Sequence, residues 1–131
     1  MTMQSFAAVG LGAAIGAWLR WALGALLNPV FPTLPLGTLA ANLLGGFVMG
    51  VAMALFDHYE ALAPEVRLFV ATGFLGGLTT FSTFSAETAT LVTRGELGWS
   101  AAIVAVHVVG SVALTLAGMA LAQLALGGRM R

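Results

Sequence analysis

The chain contains neither cysteine nor lysine. Without cysteine there is no disulfide, thiol nucleophile or thiolate metal site, and nothing to read about redox compartment. Five arginines are the whole cationic complement, and five acids balance them to a net charge of zero. Phosphate and anionic lipid headgroups are bound by clustered cations, so this scatter excludes nucleic acid as a partner. No cation precedes Arg20, so the basic start of a cleavable signal is missing, and the first apolar run outlasts signal-peptide length; it is read as retained. Nor is there a Gly-rich phosphate loop, a metal-ligand cluster, or a Ser, His and acid set at plausible spacing. The expectation is therefore a protein that is not an enzyme.

What is present is apolar. Of 131 residues 60% are hydrophobic and 8% charged, and the mean hydropathy of +1.00 does not suit a protein surrounded by water. No formal charge falls between Arg20 and Asp57, Arg67 and Glu87, or Glu96 and Arg129. Each gap accommodates the roughly 20 residues that cross a bilayer as helix. Four spans are expected, at about residues 4–27, 36–56, 65–93 and 99–126, in one four-helix membrane domain covering 1–131. Hydrocarbon leaves exposed backbone unpaired, and the runs lack the alternation of barrel strands, so all four are read as helices. Asn28, Pro29, Pro32 and Pro35 make a tight first connector. Asp57 to Pro64 and Arg94 to Gly98 make the polar second and third, and Trp18, Trp21, Tyr59 and Trp99 fall near span ends.

Orientation is poorly specified. The side holding both termini carries Arg67, Arg129 and Arg131, and the other carries Arg20 and Arg94. This near balance permits insertion in both directions. A midplane transport site commonly needs two halves of opposite topology, which a chain of this length lacks and an antiparallel homodimer supplies. Gly12 and Gly16, Gly46 and Gly50, and Gly73 and Gly77 each stand four apart, and together suggest a compact oligomer of closely approaching helices.

The unusual segment is GFLGGLTTFSTFSAE, Gly73 to Glu87. Gly73, Gly76 and Gly77 weaken the third helix at mid-span, and Thr79, Thr80, Ser82, Thr83 and Ser85 follow with hydroxyls that need protein or a wet path. A helix broken at mid-membrane is expected, with freed carbonyls able to hold a small monovalent cation. Phe81, Phe84 and Thr88 share a helix face, flanked by Thr80, Thr83 and Glu87. The two rings are either ordinary packing at three-residue spacing or, by their positive edges, a slot for an anion; the surrounding hydroxyls favour the slot. In GTLAANLLGG, Gly37 to Gly46, Asn42 is a two-hydrogen donor or interhelical glue, with Thr38 one turn before it. His107, Ser111 and Thr115 form a stripe on the fourth helix, each residue individually more structural than conductive, with His107 also readable as a proton carrier. Arg20 concentrates anions at a rim or anchors the interface. The carboxylate of Glu87 opposes a simple anion pore unless protonated, hydrogen-bonded or moving.

On GTLAANLLGG and GFLGGLTTFSTFSAE the sequence resembles the Fluc, or CrcB, family of fluoride channels over essentially its whole length. The resemblance implies an antiparallel, dual-topology homodimer in the cell inner membrane, exporting fluoride passively through two pores, with a structural sodium ion at its centre. It places the backbone carbonyls of Gly76 and Thr79 on sodium. Phe81 and Phe84 become an aromatic box beside fluoride, Asn42 a donor, and Ser111, Thr80, Thr83 and Glu87 a polar track. At His107 it leads one to expect a small hydroxyl residue instead. Thr38 and His107 complete the pathway residues, and Arg20 its vestibule. The competing classes are a small dual-topology proton-coupled exporter, for which Glu87 is the one candidate acid, and a non-transporting interaction subunit.

Overall fold

The computed structural model describes residues 1–127; Arg129 and Arg131, counted in the charge balance, lie outside them. All regular structure among the described residues is helical: α1 (Met3–Leu27), a 3-10 turn (Asn28–Val30), α2 (Leu36–His58), α3 (Pro64–Arg67), a π-helical stretch (Leu68–Leu75), α4 (Gly76–Leu78), α5 (Phe81–Thr93) and α6 (Leu97–Ala125). Four helical lengths are long and apolar enough to cross a bilayer: Met3–Val30, Leu36–His58, Pro64–Thr93 and Leu97–Ala125. The chain is a multi-pass membrane protein. Large apolar side chains such as Phe6, Leu26, Val109 and Leu124 stand exposed, as suits helices whose solvent is lipid.

The helix ends explain the short connectors. Pro35, at the start of α2, has no side chain able to cap, and Asn28 reaches across the first connector instead. Its Oδ1 accepts from the amides of Gly37 at 2.8 Å and Thr38 at 3.1 Å. Between α5 and α6 the chain turns at Gly95, φ +76, with Gly95 N donating to Val92 O at 3.0 Å and Glu96 N to Leu91 O at 2.9 Å. That pair of bonds requires a left-handed residue at the turn, where glycine carries no side-chain penalty. Across the second connector Arg67, at the end of α3, donates to the carbonyls of Phe56 at 2.8 Å and Tyr59 at 3.2 Å, and its guanidinium lies 5.1 Å from the Phe56 ring centre. The arginine thus closes the carbonyl end of α2.

α2 runs along α6, and α1 runs along the π-helical stretch and α4. Ala41, Leu75 and Leu78 form one buried centre, packed by Leu23, Val48, Met49, Val70 and Phe74; Phe84, Leu91 and Ile103 form another between α5 and α6. The paired glycines serve these contacts inside one chain. A Cβ on Gly73 would come to 3.1 Å from Gly12 Cα and 2.7 Å from Val9 O, and one on Gly46 would meet Ser111 O at 2.9 Å. The three glycine pairs therefore join helices of the same subunit, and their abundance is not a sign of an oligomer. Gly73→Ala should lower stability by about 1–3 kcal/mol, since backbone on both sides prevents relaxation. Thermal unfolding in detergent checks this, and an unchanged midpoint contradicts it.

The glycines themselves stay helical, Gly76 at φ −63, ψ −36. Departure from the helix comes later, at Thr79 (φ −83, ψ 153) and Thr80 (φ −148, ψ 109), both extended. Gly73 and Gly77 lie against α1, and that packing holds them in the helix.

Candidate functional site

The second of the two extended residues, Thr80, is held by one side chain from α2. Thr80 N donates to Asn42 Oδ1 at 2.7 Å, and Asn42 Nδ2 donates back to Thr80 O at 3.1 Å. The carboxamide pairs with Thr80 as a neighbouring strand would, satisfying backbone groups that the helix has abandoned. The other Nδ2 hydrogen meets His107 Nδ1 on α6 at 3.1 Å. Asn42 is therefore interhelical glue within the subunit, with both hydrogens engaged. Thr80 also starts α5: its Oγ1 accepts from Thr83 N at 3.1 Å and donates to Thr83 Oγ1 at 2.9 Å.

These diversions change which carbonyls are served. In an unbroken helix Thr80 N would donate to Gly76 O and Thr83 N to Thr79 O. Here the first goes to Asn42 and the second to the Thr80 hydroxyl. Thr79 N still reaches Leu75 O at 3.0 Å, ending the incoming helix, and Arg20 Nε donates to Gly77 O at 2.9 Å. Arg20 is thus bonded to the terminus of α4 and is more than an interfacial anchor.

An open cleft of about 460 Å³ gathers most of the residues singled out in the sequence. Asn42, Gly76, Thr79, Thr80, Phe81, Phe84, His107 and Ser111 all line it. The two rings meet edge to face, centres 5.5 Å apart, yet their surroundings differ. Phe81 is 78% exposed at the open side, whereas Phe84 is 7% exposed and stacks on His107 at 4.7 Å and 30°. A common helix face does not give them a common environment, because α6 covers one and leaves the other uncovered.

Behind Thr80 a second cavity of about 340 Å³ is lined by Arg20, Thr38, Thr80 and Thr83, among others. Thr38 Oγ1 donates to Glu87 Oε1 at 2.6 Å, and Glu87 lines a third cavity of about 270 Å³ beside Thr90, Arg94 and Glu96. Thr80 is shared by the first two cavities, and the Thr38 to Glu87 bond joins the last two. The predicted residues thus form a connected series from Ser111 to Glu87. Other hydroxyls are spent on backbone: Thr115 on Ser111 O and Gly46 O, Ser85 on Phe81 O, and Thr88 on Phe84 O.

Sequence reasoning missed Asn28 and Arg67 as caps, the bond from Arg20 to Gly77, and the bracket from Asn42 to Thr80. A proline-started helix lacking its own cap was the available signal for Asn28. The π-helical stretch had no evident sequence signal.

Comparison with known proteins covers nearly all of this architecture. The family described as "CrcB-like protein, Camphor Resistance (CrcB)" matches residues 7–119. A relative from Nitrosospira multiformis is 58% identical over 91% of this chain and 93% of its own. One from Aromatoleum aromaticum is 60% identical over 90% of each chain, and one from Pseudomonas putida 53% identical over 90% of this chain and 93% of its own. Each of those proteins is named "Fluoride-specific ion channel FluC". With such coverage, this chain belongs to the CrcB family.

Proposed function

We propose that the chain is a subunit of a fluoride-selective channel that exports fluoride passively across the cell's inner membrane. What carries the reading is 58% identity with a relative named a fluoride-specific channel, along a chain whose cleft has matching chemistry. The relatives are named ion channels, which puts the chain with transporters rather than enzymes.

Fluoride is small and strongly hydrated, so a path must replace its water with hydrogen-bond donors or positive ring edges. The hydroxyls of Thr83 and Ser111, the rings of Phe81 and Phe84, and His107 supply these without fixed positive charge, while Asn42, Thr80 and Thr38, whose hydrogens are engaged within the subunit, exchange a partner for the anion as it passes. Chloride is larger and a poorer acceptor, and remains incompletely desolvated in the same path. Arg20 raises the local anion concentration in the vestibule behind Thr80. Glu87 already accepts a hydrogen bond from Thr38; at the end of the track it limits how long an anion stays.

Two oppositely inserted copies complete the passage. The open side of the cleft and the exposed ring of Phe81 support this assembly, as does the nearly even arginine balance. The extended pair Thr79 and Thr80 supports a mid-membrane interruption of the third span. Diversion of Thr80 N and Thr83 N leaves the carbonyls of Gly76 and Thr79 without their helical donors, and both residues line the cleft. A Cβ on Gly76 would meet nothing in its own chain closer than Ala71 O at 4.0 Å. These residues fit a sodium ion held by two carbonyls from each copy; such an ion offsets the repulsion of bound anions and need not move. Replacing sodium by a large organic cation should lower dimer stability by about 3 kcal/mol if the site is normally well saturated. The monomer-dimer distribution measures this, and indifference to the cation contradicts it.

Efflux from proteoliposomes, followed by a fluoride electrode with a chloride control at equal pH on both sides, tests the function. Fluoride should leave and chloride should not. A strict requirement for a proton gradient would support an exporter instead, and no fluoride passage would overturn the proposal.

A further inference from the structure

Thr79 is the residue at which the third span leaves the helix, and its hydrogen-bond donors are spent locally. Its amide donates to Leu75 O at 3.0 Å, and its hydroxyl donates to the same carbonyl at 2.8 Å. Its own carbonyl has lost its helical donor, because Thr83 N turns to the Thr80 hydroxyl. What remains of the side chain is a methyl group, and it lies against Gly45 of α2. Gly45 is buried and lines the main cleft together with Gly76 and Thr79. A Cβ built on Gly45 would fall on Thr79 Cγ2, while the next atoms, Thr79 Cβ at 3.7 Å and Leu78 Cδ2 at 3.9 Å, stand at ordinary contact distance. Gly12, Gly16, Gly73 and Gly77 meet the backbone of a facing helix; Gly45 instead accommodates one methyl group.

We infer that Gly45 is a positioning residue for the proposed cation site: the hollow left by its missing side chain seats the Thr79 methyl and so aims the Thr79 carbonyl. This rests on the proposed sodium site and names what holds one of its ligands. A β-branched side chain has few staggered positions, and the bond from Thr79 Oγ1 to Leu75 O selects one of them. With its hydroxyl tied to the helix just ended and its methyl set against α2, Thr79 is held at two points. Its extended ψ of 153 turns the carbonyl out of the direction it has in a helix. A methyl added at position 45 cannot be avoided by rotating the Thr79 side chain without breaking the hydroxyl bond, so the backbone of Thr79 has to move and its carbonyl moves with it.

Transfer of one methyl group between the two positions tests this on the full-length chain. Gly45→Ala adds a methyl where Thr79 already places one, Thr79→Ser removes the one present, and the double variant exchanges them at nearly constant volume. The readout is the sodium concentration for half-maximal dimer formation, titrated against a large organic cation at constant ionic strength. Gly45→Ala should raise that concentration roughly tenfold or more, because the strain of overpacking falls on a ligand. Thr79→Ser should raise it severalfold, and the double variant should return to within about twofold of wild type, a non-additivity that independent sites do not show.

Thermal unfolding of the same preparations separates positioning from packing. A Gly45→Ala subunit that unfolds at lower temperature yet keeps the wild-type sodium requirement overturns the inference. So does a wild-type requirement in Thr79→Ser, or a double variant no better than Gly45→Ala. If Gly45→Ala gives no folded subunit, the double variant decides: a wild-type sodium response sustains the inference, and its loss overturns it. A wild-type dimer indifferent to sodium fails the proposed cation site, and this inference with it; sodium dependence that Gly45→Ala leaves unchanged fails this inference alone.

Discussion

Asn42→Leu should abolish fluoride efflux and destabilise the subunit by about 3 kcal/mol, because each polar group left buried without a partner costs about 1–3 kcal/mol and the contributions are not additive. The substitution preserves approximate volume and removes three bonds: two to the Thr80 backbone and one to His107. Nothing else in the described residues is seen to hold Thr80 extended from α2, so its amide regains Gly76 O as an acceptor. The third span then closes toward a continuous helix, and the carbonyl proposed for sodium is lost with the proposed pore. Efflux and thermal unfolding on one preparation measure both effects. A variant that conducts normally would show the bracket to be dispensable; one that is stable but silent would confine Asn42 to the anion path.

The second large effect distinguishes the two rings. Phe81→Ile and Phe84→Ile should each reduce fluoride flux by about tenfold or more if the proposed path runs along the two rings, as hydrocarbon then replaces a polarised ring edge. Both should still assemble, with different stability costs. Phe81 is 78% exposed in the subunit and its loss should leave the subunit's unfolding midpoint nearly unchanged. Phe84 is packed with Leu91 and Ile103 and stacked on His107, so its replacement should cost about 1–3 kcal/mol. Wild-type flux in both variants would take the aromatic pair out of the mechanism. Equal stability losses would contradict the placement of Phe81 at the open side.

The four helices were legible because charge is so scarce: Asp57, Glu60, Arg94 and Glu96 fall at the polar interruptions and allow few other boundaries. The membership of the cleft was also legible, since hydroxyls and a carboxamide in lipid must face protein or water, and few stood in those segments. How these residues meet was not. Periodicity puts Phe81 and Phe84 on one face, but only the approach of α6 decides that Phe84 is covered and Phe81 left open. Glycine content placed the weak point at Gly73 to Gly77, whereas the extended residues are Thr79 and Thr80. The difference lies in tertiary bonds: α1 keeps the glycines helical through close packing, and Asn42 draws Thr80 away. Likewise Arg20 read as a rim charge, and its bond to Gly77 O depends on two helices meeting. Pairings across distant sequence are set by packing and leave little trace in local pattern.

The absence of native cysteine makes the orientation of each copy directly measurable. A single Ala61→Cys in the exposed second connector can be treated, in sealed cells or vesicles, with a membrane-impermeant maleimide, before and after permeabilisation. With two opposed copies per channel, about half of the molecules should react from outside and the remainder only once the membrane is opened. Reaction of all copies from one face would mean parallel subunits, and the paired-pore account would be wrong.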